Sequence, residues 1–285
     1  MTEECTLCPR QCGAHRRAGD PGLCTIADVA YVSSAAPHFG EEPPLVGTHG
    51  SGTIFFCSCN LRCIFCQNHS ISWSKHGSPL RPAQLATVMI RLQEAGCHNI
   101  NVVTPTHVTP QIVAALAIAA GRGLRIPLVY NCGGFESLST LRLLEDIVDI
   151  YMPDIKYSDD DTARTCSGVE HYWHTAREAL AEMHRQVGNL QLTDEGIASR
   201  GVLIRHLVLP GGLAGSEQVL EFIRREISVD AYVNIMDQYR PAHRAFEHPI
   251  LRRPVSHPEV DAVRRHAQSL GLHRGFSAGI HREIS

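Results

Sequence analysis

The chain has 285 residues and a formal net charge of −3, with 44% of its residues hydrophobic and 19% charged. This balance is typical of a globular protein with room for one large α/β domain and an appendage, and it excludes the basic composition expected of a nucleic-acid-binding protein. The longest apolar run, residues 112–120, is far shorter than the roughly 20 residues that cross a bilayer, so we expect no membrane contact.

The chain contains eleven cysteines. Its first residues lack the basic-then-apolar order of a signal peptide. Cysteines in this number without an export signal predict free thiols in a reducing compartment, because disulfides persist mainly in oxidising ones. We therefore expect a cytoplasmic protein.

Residues 1–50 are predicted to form a separate, irregular segment that is rich in cysteine. Four cysteines there follow the spacing C-x2-C-x3-C-x11-C: Cys5, Cys8, Cys12 and Cys24. Thiols so close in sequence suit a tetrahedral zinc site or a second iron–sulfur cluster, and a metal would order a segment with few apolar residues. A thiol-rich loop without metal explains the same spacing, so the three readings stay open.

From residue 53 onward, strand-like runs alternate with helix-like ones, which predicts a parallel sheet with helices outside it. Apolar and β-branched runs predict six strands, at residues 53–58, 101–104, 128–131, 147–155, 202–209 and 232–236. Helices are expected between them, at residues 81–95, 110–120, 138–144, up to about residue 186, and at 217–227. The polar stretch 188–200 is predicted to be a loop.

Three cysteines follow the first predicted strand at the spacing C-x3-C-x2-C, namely Cys59, Cys63 and Cys66. A four-iron cluster normally takes four thiolates, so three would leave one iron open to a ligand from outside the protein. A zinc site completed by a distant residue, or three unrelated buried thiols, are the alternatives. Zinc sites more often use paired C-x2-C units, which favours the open cluster.

This motif, with Phe65 before its last cysteine, resembles the radical S-adenosylmethionine (SAM) superfamily. The sequences G-S-G-T-I-F-F at residues 50–56 and C-I-F-C-Q-N at residues 63–68 are similar to the branch related to pyruvate formate-lyase activating enzyme. The resemblance implies an incomplete (β/α)6 barrel over residues 51–240, and a [4Fe–4S] cluster whose open iron chelates SAM. Residues 241–285 would be a C-terminal extension with one helix, at 258–270, and frayed last residues.

Polar residues follow the second and third predicted strands, where ligands of parallel α/β folds collect. The segment with Thr104, Thr106 and His107 stands where the superfamily usually has a Gly-Gly-Glu motif that receives the SAM amino group. The resemblance thus implies cofactor binding by these residues and by Asn131, at the end of the third strand. A purely structural turn is the alternative for residues 104–107.

The fourth and fifth predicted strands end in charged residues. Asp154 and Lys156, which share one face of a strand, resemble the Asp-x-Lys of the activating enzymes, where these residues lie near SAM. The resemblance implies that Lys156 pairs with the SAM carboxylate and that Asp154 holds the ribose side or a monovalent cation; a surface ion pair is the alternative. Arg205 would bind an anionic substrate group through its bidentate fork, with His206 beside it at the cofactor.

The resemblance implies reductive cleavage of SAM to methionine and a 5′-deoxyadenosyl radical that abstracts a hydrogen atom, as in glycyl-radical enzyme activation. Flavodoxin or ferredoxin would supply the electron. Activating enzymes often carry extra cysteines just after the first cluster motif, whereas here they precede the core, which keeps direct action on a small molecule open. A non-catalytic zinc or iron–sulfur protein would explain the thiols but leave Asp154, Lys156 and Arg205 without a shared purpose.

Overall fold

The structure is a computed structural model that describes residues 4–276, and its centre is one mixed sheet. In chain order the strands are β1 (Ala30–His38), β2 (Ser51–Phe56), β3 (Ser78–Leu80), β4 (Ile100–Val103), β5 (Leu128–Cys132), β6 (Ile150–Pro153), β7 (Gln191–Leu192), β8 (Ala198–Leu207) and β9 (Tyr232–Met236).

The six strands expected from the apolar runs pair in parallel, in the spatial order β2-β4-β5-β6-β8-β9. Because this order follows the chain, every connection advances the sheet by one position, as in a partial barrel. All residues of β5 and β6 are buried, since both faces of the sheet are covered. The predicted parallel α/β sheet is confirmed.

Helices connect the strands and cover the sheet. They are α1 (Pro43–Val46), α2 (His69–Ser72), α3 (Pro82–Glu94), α4 (Thr109–Gly121), α5 (Leu138–Leu143), α6 (Asp160–Ser167), α7 (Tyr172–Val187), α8 (Ser216–Phe222), which continues as a π-turn over Ile223–Ile227, and α9 (His257–Ser269). In α3 the buried residues Leu85, Met89 and Leu92 recur at helical spacing, so that helix presents one apolar stripe to the core.

Two stretches predicted to be irregular contain strands. Within residues 1–50, β1 pairs antiparallel with β2 and with β3. Its second half is exposed and built from small residues and Pro37, which explains why it lacked the apolar signal of a strand. In the predicted loop 188–200, the two exposed residues of β7 form a hairpin with the start of β8.

The described residues contain no helix that combines the length and the apolarity needed to cross a bilayer. Residues 277–285, which the sequence predicts to be frayed, lie outside the described part of the chain. The division into three domains at residues 50 and 240 stays a prediction, although β1 is an integral part of the sheet.

Candidate active site

Residues 57–68 form a loop after β2, which we call the cysteine loop. Its backbone is fixed near its start and in its middle: Ser58 N donates to Ile71 O at 2.8 Å, and Ile64 N donates to Cys166 O at 2.8 Å. Ser58 and Arg62 adopt positive φ angles of 71° and 58°, which are uncommon for residues other than glycine. These two reversals turn the loop back on itself, so that its three cysteines face one cavity.

Each sulfur of this triad accepts a hydrogen bond. Leu61 N donates to Cys59 Sγ at 3.4 Å. Ser167 Oγ, from the end of α6, donates to Cys63 Sγ at 3.0 Å, and Ser72 Oγ, from α2, donates to Cys66 Sγ at 3.2 Å. Donors aimed at sulfur stabilise the thiolate form and raise the reduction potential of a cluster bound to it. The sulfur environment therefore fits a thiolate-bound cluster.

Burial, together with the neighbouring Cys63, raises the pKa of the Cys59 thiol to about 12. The pKa of Cys63 is also raised by burial, although the Lys156 ammonium opposes that shift. These thiols are therefore protonated at neutral pH until a metal displaces the protons, and cluster assembly is expected to release them.

The three cysteines line one cavity, which is open to solvent. Its opposite wall comes from the C-terminal ends of the neighbouring strands. A second opening, on the side of β9, shares six of its lining residues. The predicted site residues that line these cavities are Cys59, Cys63, Phe65, Cys66, Thr104, Asn131, Asp154, Lys156 and Arg205.

Three charged side chains form a connected group on that wall. Asp154 Oδ2 accepts from Lys156 Nζ at 2.8 Å, and Asp154 Oδ1 accepts from Arg205 Nε at 2.7 Å. Arg205 also donates from Nη2 to Asn131 Oδ1 at 2.9 Å and lies 3.6 Å from Glu41. All three charged side chains are less than 20% exposed, so each one depends on the others for compensation.

All three side chains of this group stay charged at pH values around neutrality. Burial alone would raise the pKa of Asp154, but Arg205 and Lys156 outweigh it and lower that pKa to about 2. Burial would likewise lower the pKa values of Lys156 and Arg205, whereas the adjacent carboxylates leave both raised. Two cationic side chains already neutralise Asp154, and the monovalent cation expected there stays a prediction.

Three residues expected at the cofactor lie away from the cavities. Thr106 is fully buried and donates to Glu136 Oε1 at 2.7 Å. His107 is also buried, with Nε2 2.8 Å from Cys57 O. His206 faces the side of β8 opposite Arg205, and its two ring nitrogens contact Ile155 O at 2.7 Å and Ser216 Oγ at 2.8 Å. Their polar atoms are engaged inside the protein, and the expected contact of these three residues with SAM stays a prediction.

Phe65 and Thr104 keep contact with the cavities. Phe65 lines the opening on the β9 side and packs edge-on against Tyr157 and Tyr239, with ring centroids 6.3 and 5.9 Å away. Thr104 adopts a φ angle of 59°, and its N donates to Asn131 O at 2.9 Å. Of the residues in segment 104–107, Thr104 lines this cavity.

Several residues that the sequence left without a role lie at this site. Glu42 is buried, accepts from Asn234 Nδ2 at 2.8 Å, and has a pKa raised by burial. Cys132, the last residue of β5, lines the cavity, but its thiol interacts with the Glu136 carboxyl. Ser72 and Ser167 gave no sequence signal, because a lone serine becomes a sulfur donor only through tertiary placement.

Glu136 is 1% exposed, and burial raises its pKa to about 8 despite hydrogen bonds from Thr106 and Tyr130. The folded side chain therefore holds a proton that the unfolded chain loses above its ordinary pKa of 4.5. Its contribution to stability is fully present below that value and is lost as the pH rises toward 8, by about 1.4 kcal/mol per pH unit. We expect Glu136→Gln to remove this loss, so that its stability relative to wild type rises by about 2 kcal/mol between about pH 6.5 and 8.

Urea unfolding at several pH values above 6.5 tests this expectation. That pH range excludes the titration of two buried histidines, His107 and His206. Burial lowers their pKa values to about 4, so they lower the stability of the fold only as the pH falls below 6.5. Glu145→Gln, at an exposed surface ion pair, is the control and should track wild type. Parallel curves for Glu136→Gln and wild type would show that Glu136 is not buried as a neutral acid.

The four N-terminal cysteines also come together. Cys12, Cys8 and Cys24 all lie close enough to Cys5 for their thiols to interact with it. This group lies next to the cysteine loop, because Arg10 Nη2 donates to Leu61 O at 3.2 Å.

Comparison with known families supports the same kind of centre. A family model described as the Radical SAM superfamily matches residues 53–211, which include the cysteine loop and the charged strand ends. An uncharacterised protein of Methanocaldococcus jannaschii is 30% identical over 278 residues, which are 95% of this chain and 76% of that protein.

Two solved structures share the fold. Methylornithine synthase (PylB) superposes with a TM-score of 0.51 and 14% identity over 76% of this chain and 62% of that chain. Native anSMEcpe with bound AdoMet superposes with a TM-score of 0.50 and 10% identity over 80% of this chain and 59% of that chain. The chain thus spans about three fifths of the length of each, and at these identities the likeness is one of fold alone.

Proposed function

The chain belongs to the radical SAM superfamily, and from that premise we propose that Cys59, Cys63 and Cys66 hold a [4Fe–4S] cluster beside a SAM-binding cavity. When bound, this cluster supplies the electron that cleaves SAM to methionine and a 5′-deoxyadenosyl radical, which takes a hydrogen atom from the substrate. The observation that carries the proposal is the triad itself: three sulfurs line one cavity and each accepts a hydrogen bond.

A further thiol on the cavity wall does not complete the set. Cys132 lies at the end of β5, and its thiol interacts with the Glu136 carboxyl. Three ligands from the cysteine loop therefore leave one iron for an exogenous ligand.

The strand ends would bind SAM through its polar groups. Lys156, held in place by Asp154, presents an ammonium near Cys63 and suits the carboxylate of SAM. Thr104 and Asn131 supply neutral hydrogen-bonding groups on the same wall, where much of the superfamily uses a carboxylate. Cavity walls built by the apolar ends of β2 and β4 exclude water around the reacting groups.

Removal of the lysine ammonium tests this role. We expect Lys156→Ala to weaken SAM binding about 10-fold, since one charge-assisted hydrogen bond is worth about 1.5 kcal/mol or more. The iron content should stay that of wild type, because Lys156 does not touch a sulfur. Equilibrium binding of SAM to the reconstituted protein measures the effect.

Lys75→Ala is the matched control, because Lys75 is the one other lysine in the sequence and is exposed. Unchanged SAM affinity in Lys156→Ala would remove the residue from the binding site. Loss of iron from that variant would instead assign Lys156 a structural role.

Among the candidate reactions we place activation of a glycyl-radical enzyme first, with that enzyme as the protein substrate. The Asp154-x-Lys156 pair and the sequences flanking the cysteine loop support it through their resemblance to activating enzymes. Arg205 lies between Asp154 and Glu41, at the opening toward β9, and would position an anionic or amide group of the substrate. The electron would come from a flavodoxin or ferredoxin, and eleven free cysteines favour a reducing compartment such as the cytoplasm.

A small-molecule substrate is the second candidate, because the extra cysteines precede the core and do not follow the first cluster motif.

Reduced protein incubated with SAM under anaerobic conditions should form 5′-deoxyadenosine, which chromatography with mass spectrometry detects. A glycyl-radical protein added to this mixture should acquire the paramagnetic signal of a glycyl radical. Deuterium transfer from a labelled metabolite without that signal would favour the second candidate, and iron-loaded protein that never cleaves SAM would contradict both.

A further inference from the structure

The backbone folds the four N-terminal cysteines into one site. Cys5 N donates to Ala14 O at 3.1 Å, and Gly13 N donates to Cys5 O at 3.2 Å, which closes the first loop. Gly22, with a φ angle of 58°, lies so close to this loop that a Cβ there would be 3.1 Å from Cys12 Sγ. Glycine at this turn therefore lets the second half of the segment approach the first.

The thiols interact within this fold. Cys12 interacts with Cys5, Cys8 interacts with both Cys5 and Cys24, and Cys24 also interacts with Cys12. The spacing C-x2-C-x3-C-x11-C thus places four ligand-bearing side chains around one centre. Thiolates are the preferred ligands of both zinc and iron–sulfur clusters.

A buried cation beside the thiols points to an anionic centre. Arg16 is 4% exposed, and its Nε donates to Ile26 O and Ala27 O. Its Nη1 and Nη2 have no hydrogen-bond partner among the described residues. Arg16 interacts electrostatically with Cys24 and lines a small cavity together with Cys5. A buried, unpaired guanidinium is costly, and a metal centre with four thiolates carries the negative charge that would compensate it.

The arrangement favours a cluster over a single ion. Zinc requires its ligand sulfurs to converge on one point at about 2.3 Å. Residues 4–276 contain no group of three or more Cys, His, Asp or Glu side chains that could hold one metal ion in this way. A four-iron cluster takes one thiolate on each iron, so it does not require the four sulfurs to converge on one point.

The N-terminal site rests directly on the cysteine loop. Arg10 Nε donates to Asn60 O at 2.5 Å, and its Nη2 donates to Leu61 O at 3.2 Å. Ser58 Oγ donates to Cys24 O, so a backbone carbonyl of the N-terminal site is bound by the residue before Cys59. A metal centre held by these four cysteines is therefore a direct neighbour of the first cluster.

We propose that Cys5, Cys8, Cys12 and Cys24 bind a second [4Fe–4S] cluster, fully ligated by protein thiolates and seated against the loop of the first. Anaerobically reconstituted wild-type protein is then expected to hold about eight iron atoms per chain, with about eight inorganic sulfides. After reduction, two neighbouring paramagnetic clusters should broaden each other's electron paramagnetic resonance signals.

Variants separate the two sites by metal content alone. The triple variant Cys59→Ala, Cys63→Ala, Cys66→Ala should keep about four irons and an unbroadened cluster signal, and addition of Cys8→Ala should remove them. Cys97→Ala, at a buried cysteine outside both sites, is the control and should keep the wild-type count. Circular dichroism checks that each variant folds, and about eight irons in the wild-type protein would support the second cluster even if a variant does not fold.

Two results would overturn the proposal. One is wild-type protein with about four irons and one tightly bound zinc per chain, which would make the N-terminal site a zinc site. The other is about four irons with no further metal, together with an iron-free triple variant, which would make the segment a metal-free thiol loop. Neither result depends on SAM cleavage, so this test and that of the proposed function fail independently.

Discussion

Cys59→Ala is expected to abolish reductive cleavage of SAM and to remove the iron of the first cluster. Cys59 is the first thiol of the triad, and the two thiols that remain cannot hold three corners of a cluster. Loss of a group that only supports a metal ligand lowers metal affinity or activity by about 10–100-fold. Loss of the ligand itself should therefore lower 5′-deoxyadenosine formation by about 1,000-fold or more. Iron analysis and chromatography of the nucleoside product measure the two effects on the same sample.

The control for this prediction is Cys97→Ala, which removes a buried thiol that lines neither cavity. It should retain both iron and activity. Cleavage of SAM by Cys59→Ala at near the wild-type rate would exclude Cys59 as a ligand.

Asp154→Asn is expected to lower kcat/KM for SAM cleavage by about 100-fold, because breaking a buried ion pair costs about 3 kcal/mol or more. The change keeps the size of the side chain but leaves Lys156 and Arg205 as two uncompensated cations on one wall. Both cations would then shift away from each other and from the positions that suit SAM. The iron content should stay unchanged, because the Asp154 carboxylate pairs with Lys156 and Arg205 and is not a proposed cluster ligand.

Asp161→Asn is the matched control, because it breaks an ion pair of Asp161 with Arg164 at the exposed surface. Such pairs contribute about 0–1 kcal/mol, so its activity should match that of wild type. Because Asp154 is ionised down to about pH 2, the wild-type rate should show no titration of this group between pH 5 and 9. Equal activities of Asp154→Asn and Asp161→Asn would make the charged group on the wall irrelevant to catalysis.

The parallel sheet could be predicted from the sequence because its strands are buried on both faces. Such strands are continuous apolar runs, and the helices between them repeat apolar residues at helical spacing. β1 could not be predicted in the same way. Its outer half is exposed, and its place at the sheet edge comes from pairing with β2 and β3, which are distant in sequence.

The charged wall could also be predicted, since the carboxyl ends of parallel strands meet at one edge. This edge therefore brings together Asp154, Lys156 and Arg205, although Arg205 is about 50 positions from Asp154 in the sequence. The side on which a residue faces was harder to infer. In β8 the alternation of side chains puts Arg205 at the cavity and His206 in the interior, and a turn after β4 buries His107.

The hydrogen bonds to the cysteine sulfurs could not be predicted from the sequence. Ser167 donates to Cys63 across 104 positions, and nothing in its neighbourhood marks it as a sulfur donor. The buried Arg16 beside Cys24 is a similar case, because its lack of partners is visible only in three dimensions.

The binding of SAM to an iron of the reduced cluster tests the central claim most directly. Electron–nuclear double resonance with SAM labelled with ¹⁵N at its amino group should show a nitrogen coupled to the cluster spin. The variant that lacks Cys59, Cys63 and Cys66 should show none and supplies the baseline for any N-terminal centre. Reduced wild-type protein that binds labelled SAM without such a coupling would contradict an open iron at this triad.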